Sequence, residues 1–172
     1  MATPLDNAFI TEINQNMGIV HKVCRLYFVD AQEREDVLQE MMYQLWRSYP
    51  AFDRRSKFST WMYSVCLHTA FTYRRKSNRR KDESLSSRHL QIPEPGQKNK
   101  DNSITLLMDA IATLSPVNKA VMLLYLENMS YEEIARVTGI SRSNVSVRLV
   151  RSKKELETEL KKKIKSIEDV DL

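Results

Sequence analysis

Residues 130–154, SYEEIARVTGISRSNVSVRLVRSKK, constrain the fold more than any other stretch of the chain. Ser130 and Glu133 stand in the S-x-x-E spacing of a capping box, in which the serine accepts from an orphan helix N–H and the glutamate reaches back. Gly139 follows one short helix later, where a residue without Cβ can take a positive φ and end that helix. Ser141 then offers an N-cap for a second helix. Ile134, Ile140, Val145 and Leu149 supply an apolar seam, and Ala135 is small enough to let the helices approach. The predicted unit is a helix-turn-helix. Its second helix carries Arg142, Asn144, Arg148, Arg151, Lys153 and Lys154, donors suited to phosphates and base edges. A plain helical hairpin shares the turn glycine and the seam. The basic second helix and its polar N-terminal half favour a DNA reader.

The rest of the chain agrees with a helical architecture. Only 3 glycines occur in 172 residues, β-branched runs are few, and apolar residues recur at spacings of three and four, so the expected fold class is all-α. The net charge of +5 is unevenly placed. RRKSNRRK at 74–81 contains no acid and the stretch 136–165 is strongly basic, whereas acids gather at 30–40 and at the C-terminus. Segregated blocks of this kind suit one surface for nucleic acid and another for a basic protein partner.

No apolar run is long enough to span a bilayer, and MATPLDNAF lacks the basic start and apolar stretch of a signal peptide. Cys24 and Cys66 lie inside apolar helical patterns without a C-x-x-C partner, as expected of buried free thiols in a reducing cytoplasm. His21, His68 and His89 are scattered and match no metal-ligand spacing. Neither paired carboxylates nor a nucleophile–base pair stands out. The expectation is a cytoplasmic, non-enzymatic protein with no cofactor and no small-molecule substrate.

The periodicity predicts a first helix over 6–29 with Phe9, Ile13, Met17, Val20, Val23 and Tyr27 near one stripe. A second helix is expected over 33–48, burying Val37, Leu38, Met41, Met42, Leu45 and Trp46 and exposing Asp36, Gln39, Glu40, Tyr43 and Arg47, with Pro50 closing it. A third, over 58–76, opens with the aromatics of FSTWMY and ends in YRRK. Residues 77–103 are polar with Pro-Glu-Pro-Gly at their centre and suggest a flexible linker. Four further helices are expected in 104–168, one of them started by Ser115 at the N-cap and Pro116 at N1. The predicted organisation is two small helical domains, 6–76 and 104–168, joined by the linker 77–103.

Two blocks carry a family resemblance. AQEREDVLQEMMYQLWRSYPAFDRRSKFSTWMYSVCLHTAFTYRRK resembles the σ2 domain of sigma-70 family factors, and LSPVNKAVMLLYLENMSYEEIARVTGISRSNVSVRLVRSKKEL resembles their σ4 domain. Nothing resembling σ3 lies between them, which is the form of the extracytoplasmic-function (ECF) class. The resemblance implies a factor that directs core RNA polymerase to promoter DNA. Asp36, Gln39 and Glu40 would grip the β′ clamp helices, and the first half of σ4 would meet the β flap. The third helix and the loop 53–57 before it would melt and read the minus-ten region, through Arg54, Arg55 and Lys57, the aromatics Trp61 and Tyr63, and Arg74 and Arg75. Phe58 is expected in the core, and Trp61 fits core and base stacking equally well. Arg142, Ser143 and Asn144 would read minus-thirty-five base edges, with Arg148 and Arg151 on phosphates. Family membership also implies an anti-sigma factor that covers the polymerase-binding surfaces.

The chain departs from the commoner pattern at Ser64, His68 and Thr72, where many ECF factors carry arginine, asparagine and aspartate, and at Ser146 and Val147, which replace a basic-serine pair. Such positions read promoter sequence. Two other readings stay open from the residues alone: a helix-turn-helix regulator acting without polymerase, and an adaptor that binds polymerase or an anti-sigma factor but reads no promoter.

Overall fold

The computed structural model describes residues 4–83 and 102–168. Every described element is a helix: α1 (Pro4–Tyr27), α2 (Ala31–Ser48), a 3₁₀ turn (Tyr49–Ala51), α3 (Phe58–Glu83), α4 (Asn102–Ala112), α5 (Pro116–Leu126), α6 (Tyr131–Thr138) and α7 (Arg142–Glu168). They divide into two compact units, the first ending at Glu94 and the second beginning at Pro95. No helix among the described residues is long and apolar enough to cross a membrane.

In the first unit α1, α2 and α3 pack pairwise. Asp30 caps α2, its Oδ1 accepting from the Glu33 N–H at 2.8 Å. Pro50 closes α2, as the sequence predicts, and sits in the 3₁₀ turn that follows. Val20, Val23, Val37, Met41, Leu45, Met62, Leu67 and Ala70 form the centre of the core. Edge-on ring pairs close its far end, Tyr27 with Phe71 at 5.6 Å and Phe28 with Tyr73 at 5.7 Å.

Two expectations need correction. Trp46 is 57% exposed. The buried line of α2 runs through Val37, Met41 and Leu45, so the next positions round, Leu38 and Met42, are half-buried and Trp46 lies beyond the cover of its neighbours. Helix α3 does not stop at 76 but continues to Glu83, so residues 77–83 of the expected linker are helical. Residues 84–101 of that linker, and 169–172 of the tail, lie outside the described residues. Ser115 does hold the N-cap position of α5 with Pro116 behind it, but its side chain makes no capping bond.

Cys24 and Cys66 are buried free thiols. The Cys24 Sγ lies 3.7 Å from the Met41 Sδ. Burial pushes the Cys24 thiol up to about 11 and the Cys66 thiol up to about 12. A pKa raised in the folded state stabilises the fold below the unfolded pKa, and that stability is lost as pH climbs towards the folded value. The first unit is therefore expected to lose stability progressively above about pH 9, the ordinary thiol value. Denaturant titrations at pH 8 and pH 10.5 on wild type and a Cys24→Ala, Cys66→Ala pair check this: the pair should lose less between the two pH values.

In the second unit α7 packs against α4, α5 and α6. The local chemistry of the hairpin is as the sequence predicts. Ser130 Oγ accepts from the Glu133 N–H at 3.2 Å, and Glu133 Oε2 accepts from the Ser130 N–H at 2.9 Å. Gly139 adopts φ +74° and donates to the Ala135 carbonyl at 2.9 Å. A Cβ there would meet no atom within 4 Å, so the constraint is the left-handed backbone itself. Ser141 Oγ accepts from the Asn144 N–H at 3.2 Å and starts α7. Ile134, Val137, Val145, Leu149 and Leu156 are buried in the seam, with Ile140 half-buried.

Candidate polymerase and nucleic-acid interfaces

Three outward surfaces carry the polar chemistry. The first is on α2. Asp36, Gln39, Glu40, Tyr43, Trp46 and Arg47 are all exposed and recur at three- and four-residue spacing, so they share the face opposite Val37, Met41 and Leu45. Two acids, an amide and two aromatic rings therefore stand together on one helix. Gln32 Nε2 donates to Asp36 Oδ1 at 3.4 Å within that face.

The second surface is formed by α3 and the residues before it. Trp61 is half-buried in a cluster of rings, 5.0 Å from Phe52, 5.3 Å from Phe58 and 6.2 Å from Tyr49. Ser64, His68, Thr72, Arg75 and Arg79 continue from Trp61 along the outer line of α3 at helical spacing, and His68, Arg75 and Arg79 are exposed. Lys57 and Lys76 are exposed beside this line. Arg55 pairs with Asp53 at 3.1 Å, both in solvent. Arg74 is half-buried with its guanidinium 5.9 Å from the Tyr27 ring centre.

The third surface is on α7. Ser143, Asn144, Val147, Val150, Arg151 and Lys154 are exposed along one face, opposite Val145, Leu149, Ser152 and Leu156. Arg142 Nε donates to Glu132 Oε1, and its guanidinium lies 5.9 Å from the Tyr131 ring centre. The Glu132 backbone hydrogen bond and, after it, Arg142 hold the Glu132 carboxyl below the usual carboxylate range. On the inner side Arg148 Nη1 donates to Asn118 Oδ1 at 2.8 Å. Lys153 Nζ donates to the Tyr125 hydroxyl at 3.0 Å, a bond that raises the Lys153 pKa. Further along, the lysines are neutralised locally, Lys161 by Glu157 at 2.6 Å and Lys162 by Glu159 at 2.9 Å.

Comparison with known proteins decides what these surfaces belong to. Sigma-70 region 2 matches residues 13–80 and Sigma-70 region 4 matches residues 104–156. Among curated relatives, an ECF RNA polymerase sigma-E factor of Haemophilus influenzae is 26% identical over 147 residues, covering 77% of each chain. The ECF RNA polymerase sigma factor SigW of Bacillus subtilis is 24% identical over 170 residues, covering 90% of each. The chain is an ECF sigma factor of the sigma-70 family. Its fold matches that of the sigma factor RpoE, solved in complex with the anti-sigma factor NepR from Bartonella quintana, with a TM-score of 0.74 at 20% identity over 90% of this chain and 97% of that one. CnrH, solved in complex with the cytosolic domain of CnrY, gives a TM-score of 0.62 at 19% identity, covering 90% and 88%.

Most residues expected to act in this sigma factor are outward. Asp36, Gln39 and Glu40 are exposed together on α2, and Ser143, Asn144 and Arg151 together on α7. Arg55, Lys57 and Arg75 are exposed as well. Tyr63 is not: it is 1% exposed and packed in the core, so it is withdrawn from the DNA-facing set. Two residues on from Trp61 a helix points to its other side, and only one of the two rings can face outward. Arg148 is turned towards α5, where its bond to Asn118 ties the two helices. Arg54 and Arg142 are exposed but already paired with Glu12 and Glu132. Sequence reasoning missed Trp46 as a surface residue, and missed Val150, which joins the already marked Val147 on the outer face of α7. The spacing of Val147 from Ser143 and of Val150 from Val147 already placed both on the face of Asn144.

Proposed function

We propose that this sigma factor docks on core RNA polymerase through the exposed face of α2 and directs initiation at promoters read by α3 and α7. The observation that carries the reading is the separation of chemistries. Acids and aromatic rings, with Arg47 beside them, occupy the outer face of α2, whereas cations line the outer faces of α3 and α7; α2 and α3 lie within the region 2 match and α7 begins within the region 4 match. An acidic helix face suits a basic helical partner such as the β′ clamp helices and gives the encounter its register. The σ4 unit supplies a further contact, with the β flap. The factor contributes binding energy and performs no bond chemistry of its own. The complex of the structural relative RpoE with the anti-sigma factor NepR supports control by an anti-sigma factor, whose expected targets here are the polymerase-binding surfaces.

On DNA, α7 enters the major groove and presents Ser143 and Asn144 to base edges, with Arg151 and Lys154 on phosphates. Trp61 supports an unstacked minus-ten base, and Lys57, Arg75 and Arg79 hold the backbone beside it. Run-off transcription with core polymerase from the source cell on fragmented genomic DNA tests the whole reading. Discrete starts that need this chain are expected. Binding to duplex DNA without new starts would instead indicate a regulator acting without polymerase.

The division of labour on DNA has its own test. Arg75→Ala and Arg79→Ala should each weaken holoenzyme binding on every promoter alike and lower the salt slope by about 1. Asn144→Ala should instead cost about 1–3 kcal/mol on the cognate site and relax its sequence preference. Affinities measured across a salt series on cognate and scrambled fragments separate the two behaviours.

A further inference from the structure

Arg54 stands in the loop between the 3₁₀ turn and α3 with φ +59°. A left-handed backbone is strained for a residue with a Cβ, and such strain persists where the surroundings over-determine it. Here the surroundings are specific. Arg54 Nη1 donates to Glu12 Oε1 at 3.2 Å and Nη2 to the Tyr49 hydroxyl at 3.5 Å. The Tyr49 hydroxyl donates to Glu12 Oε2 at 2.8 Å, so one carboxylate from α1 engages both residues. The Arg54 guanidinium also lies 5.8 Å from the Phe52 ring centre. Burial first, and the bond to Glu12 second, raise the Tyr49 pKa and keep its proton in place as a donor.

The three residues connect to the ring cluster that holds Trp61. Tyr49 packs against Phe9 at 5.1 Å and against Trp61 at 6.2 Å, and Phe52 meets Trp61 at 5.0 Å. Loop and stacking platform are thus set by one assembly, whose outer edge is the Glu12–Arg54 pair. That pair is exposed on the arginine side, 65% for Arg54 against 25% for Glu12, and surface pairs of this kind contribute little to global stability. A cation already bonded to a carboxylate is also a poor phosphate anchor, because the acid cancels its charge and repels the backbone.

We propose that Arg54 is a positioning residue, clasped by Glu12 and Tyr49 so that residues 53–57 hold the shape that receives an unpaired promoter base. The proposal rests on the promoter-opening role assigned above and replaces the expectation that Arg54 contacts DNA itself. The two roles predict opposite responses at Glu12. If Arg54 held a phosphate, removing Glu12 would free it and strengthen DNA binding. If the clasp positions the loop, removing either partner weakens capture of the unpaired base, and removing both is no worse than removing one.

The test uses holoenzyme and a forked fragment built on a promoter defined by run-off, with 2-aminopurine at the first unpaired non-template base. Glu12→Ala and Arg54→Ala are each expected to weaken fork binding about tenfold, the order of one lost base stack. The double variant should match the single variants, Arg54→Lys should recover part of the 2-aminopurine signal, and the salt slope, the affinity for core polymerase and the affinity for fully duplex DNA should stay at wild-type values. Tighter binding by Glu12→Ala, a slope lowered by about 0.7–0.9 in Arg54→Ala, or wild-type fork binding by both variants overturns the clasp. Wild-type holoenzyme with no preference for the fork over the duplex overturns the promoter-opening role itself and the clasp with it, a result distinguishable because it precedes any variant.

Discussion

Tyr63→Ala is expected to unfold the first unit at temperatures where Trp61→Ala leaves it intact, while Trp61→Ala is expected to fail at promoter opening. The two rings sit two residues apart on α3 but on opposite sides of it. Tyr63, 1% exposed, is among the largest fully buried side chains of the chain. Truncating a buried aromatic to alanine costs about 3–5 kcal/mol, against a total stability of about 5–15 kcal/mol for a typical domain. The midpoint should fall by roughly 15 °C or more. Trp61 is half-buried, and its loss uncovers Phe52 and Phe58 at the surface without a closed cavity, so the cost should be smaller. Both tryptophans of the chain, Trp46 and Trp61, lie in the first unit, so tryptophan emission follows its melting separately from the second unit. Tyr63→Phe, which keeps the ring volume, should melt near wild type. If Trp61→Ala opened promoters normally, the ring would be core alone and the stacking role would go to another residue.

The helix-turn-helix was legible because its signals are local. Ser130 with Glu133, Gly139, and Ser141 with Asn144 each act over three or four residues, and each makes the bond that its spacing implies. The all-α class and the order of the helices follow from periodicity in the same way. What the sequence left ambiguous depends on partners distant along the chain. Glu12 meets Arg54 across 42 positions, and Arg148 meets Asn118 across 30, and neither pairing leaves a trace in local composition. Trp46 follows the buried Leu45 and reads as apolar core by composition, but it stands three residues from the exposed Tyr43 and falls on the outer face of α2. The extension of α3 to Glu83 was hidden by the polar residues of 77–83, which offer no apolar face, and by the like charges of Arg75 with Arg79 and of Lys76 with Arg80 four residues apart, which argue against an isolated helix. The Trp61–Tyr63 error was avoidable, since helical geometry alone forbids both rings from facing DNA.

Asp36→Arg should abolish transcription while leaving the fold and α7's hold on duplex DNA unchanged. Asp36 is exposed, its hydrogen bond to Gln32 is long at 3.4 Å, and it contributes nothing to the core of α2, so the reversed charge has no route to unfold the unit. On the polymerase side the same change sets cation against cation at the centre of a face that also carries Gln39, Glu40, Tyr43 and Trp46. Losing one partner of a desolvated charge pair costs about 2–5 kcal/mol, roughly 30- to several-thousand-fold in affinity, and reversal adds repulsion. Asp36→Asn, which removes charge without reversing it, should fall between. Trp46→Ala should weaken polymerase binding by a comparable factor through loss of packing, with little change in salt dependence, because exposed tryptophans at interface centres tend to be anchors. Titration of labelled chain into core polymerase gives these affinities directly, and circular dichroism checks the fold. The decisive arm is compensation. A polymerase whose clamp helices carry an acid in place of a base should regain binding to Asp36→Arg and lose it to wild type, an exchange that a misfolded variant cannot produce. If Asp36→Arg binds polymerase as wild type does, the outer face of α2 is not the docking surface.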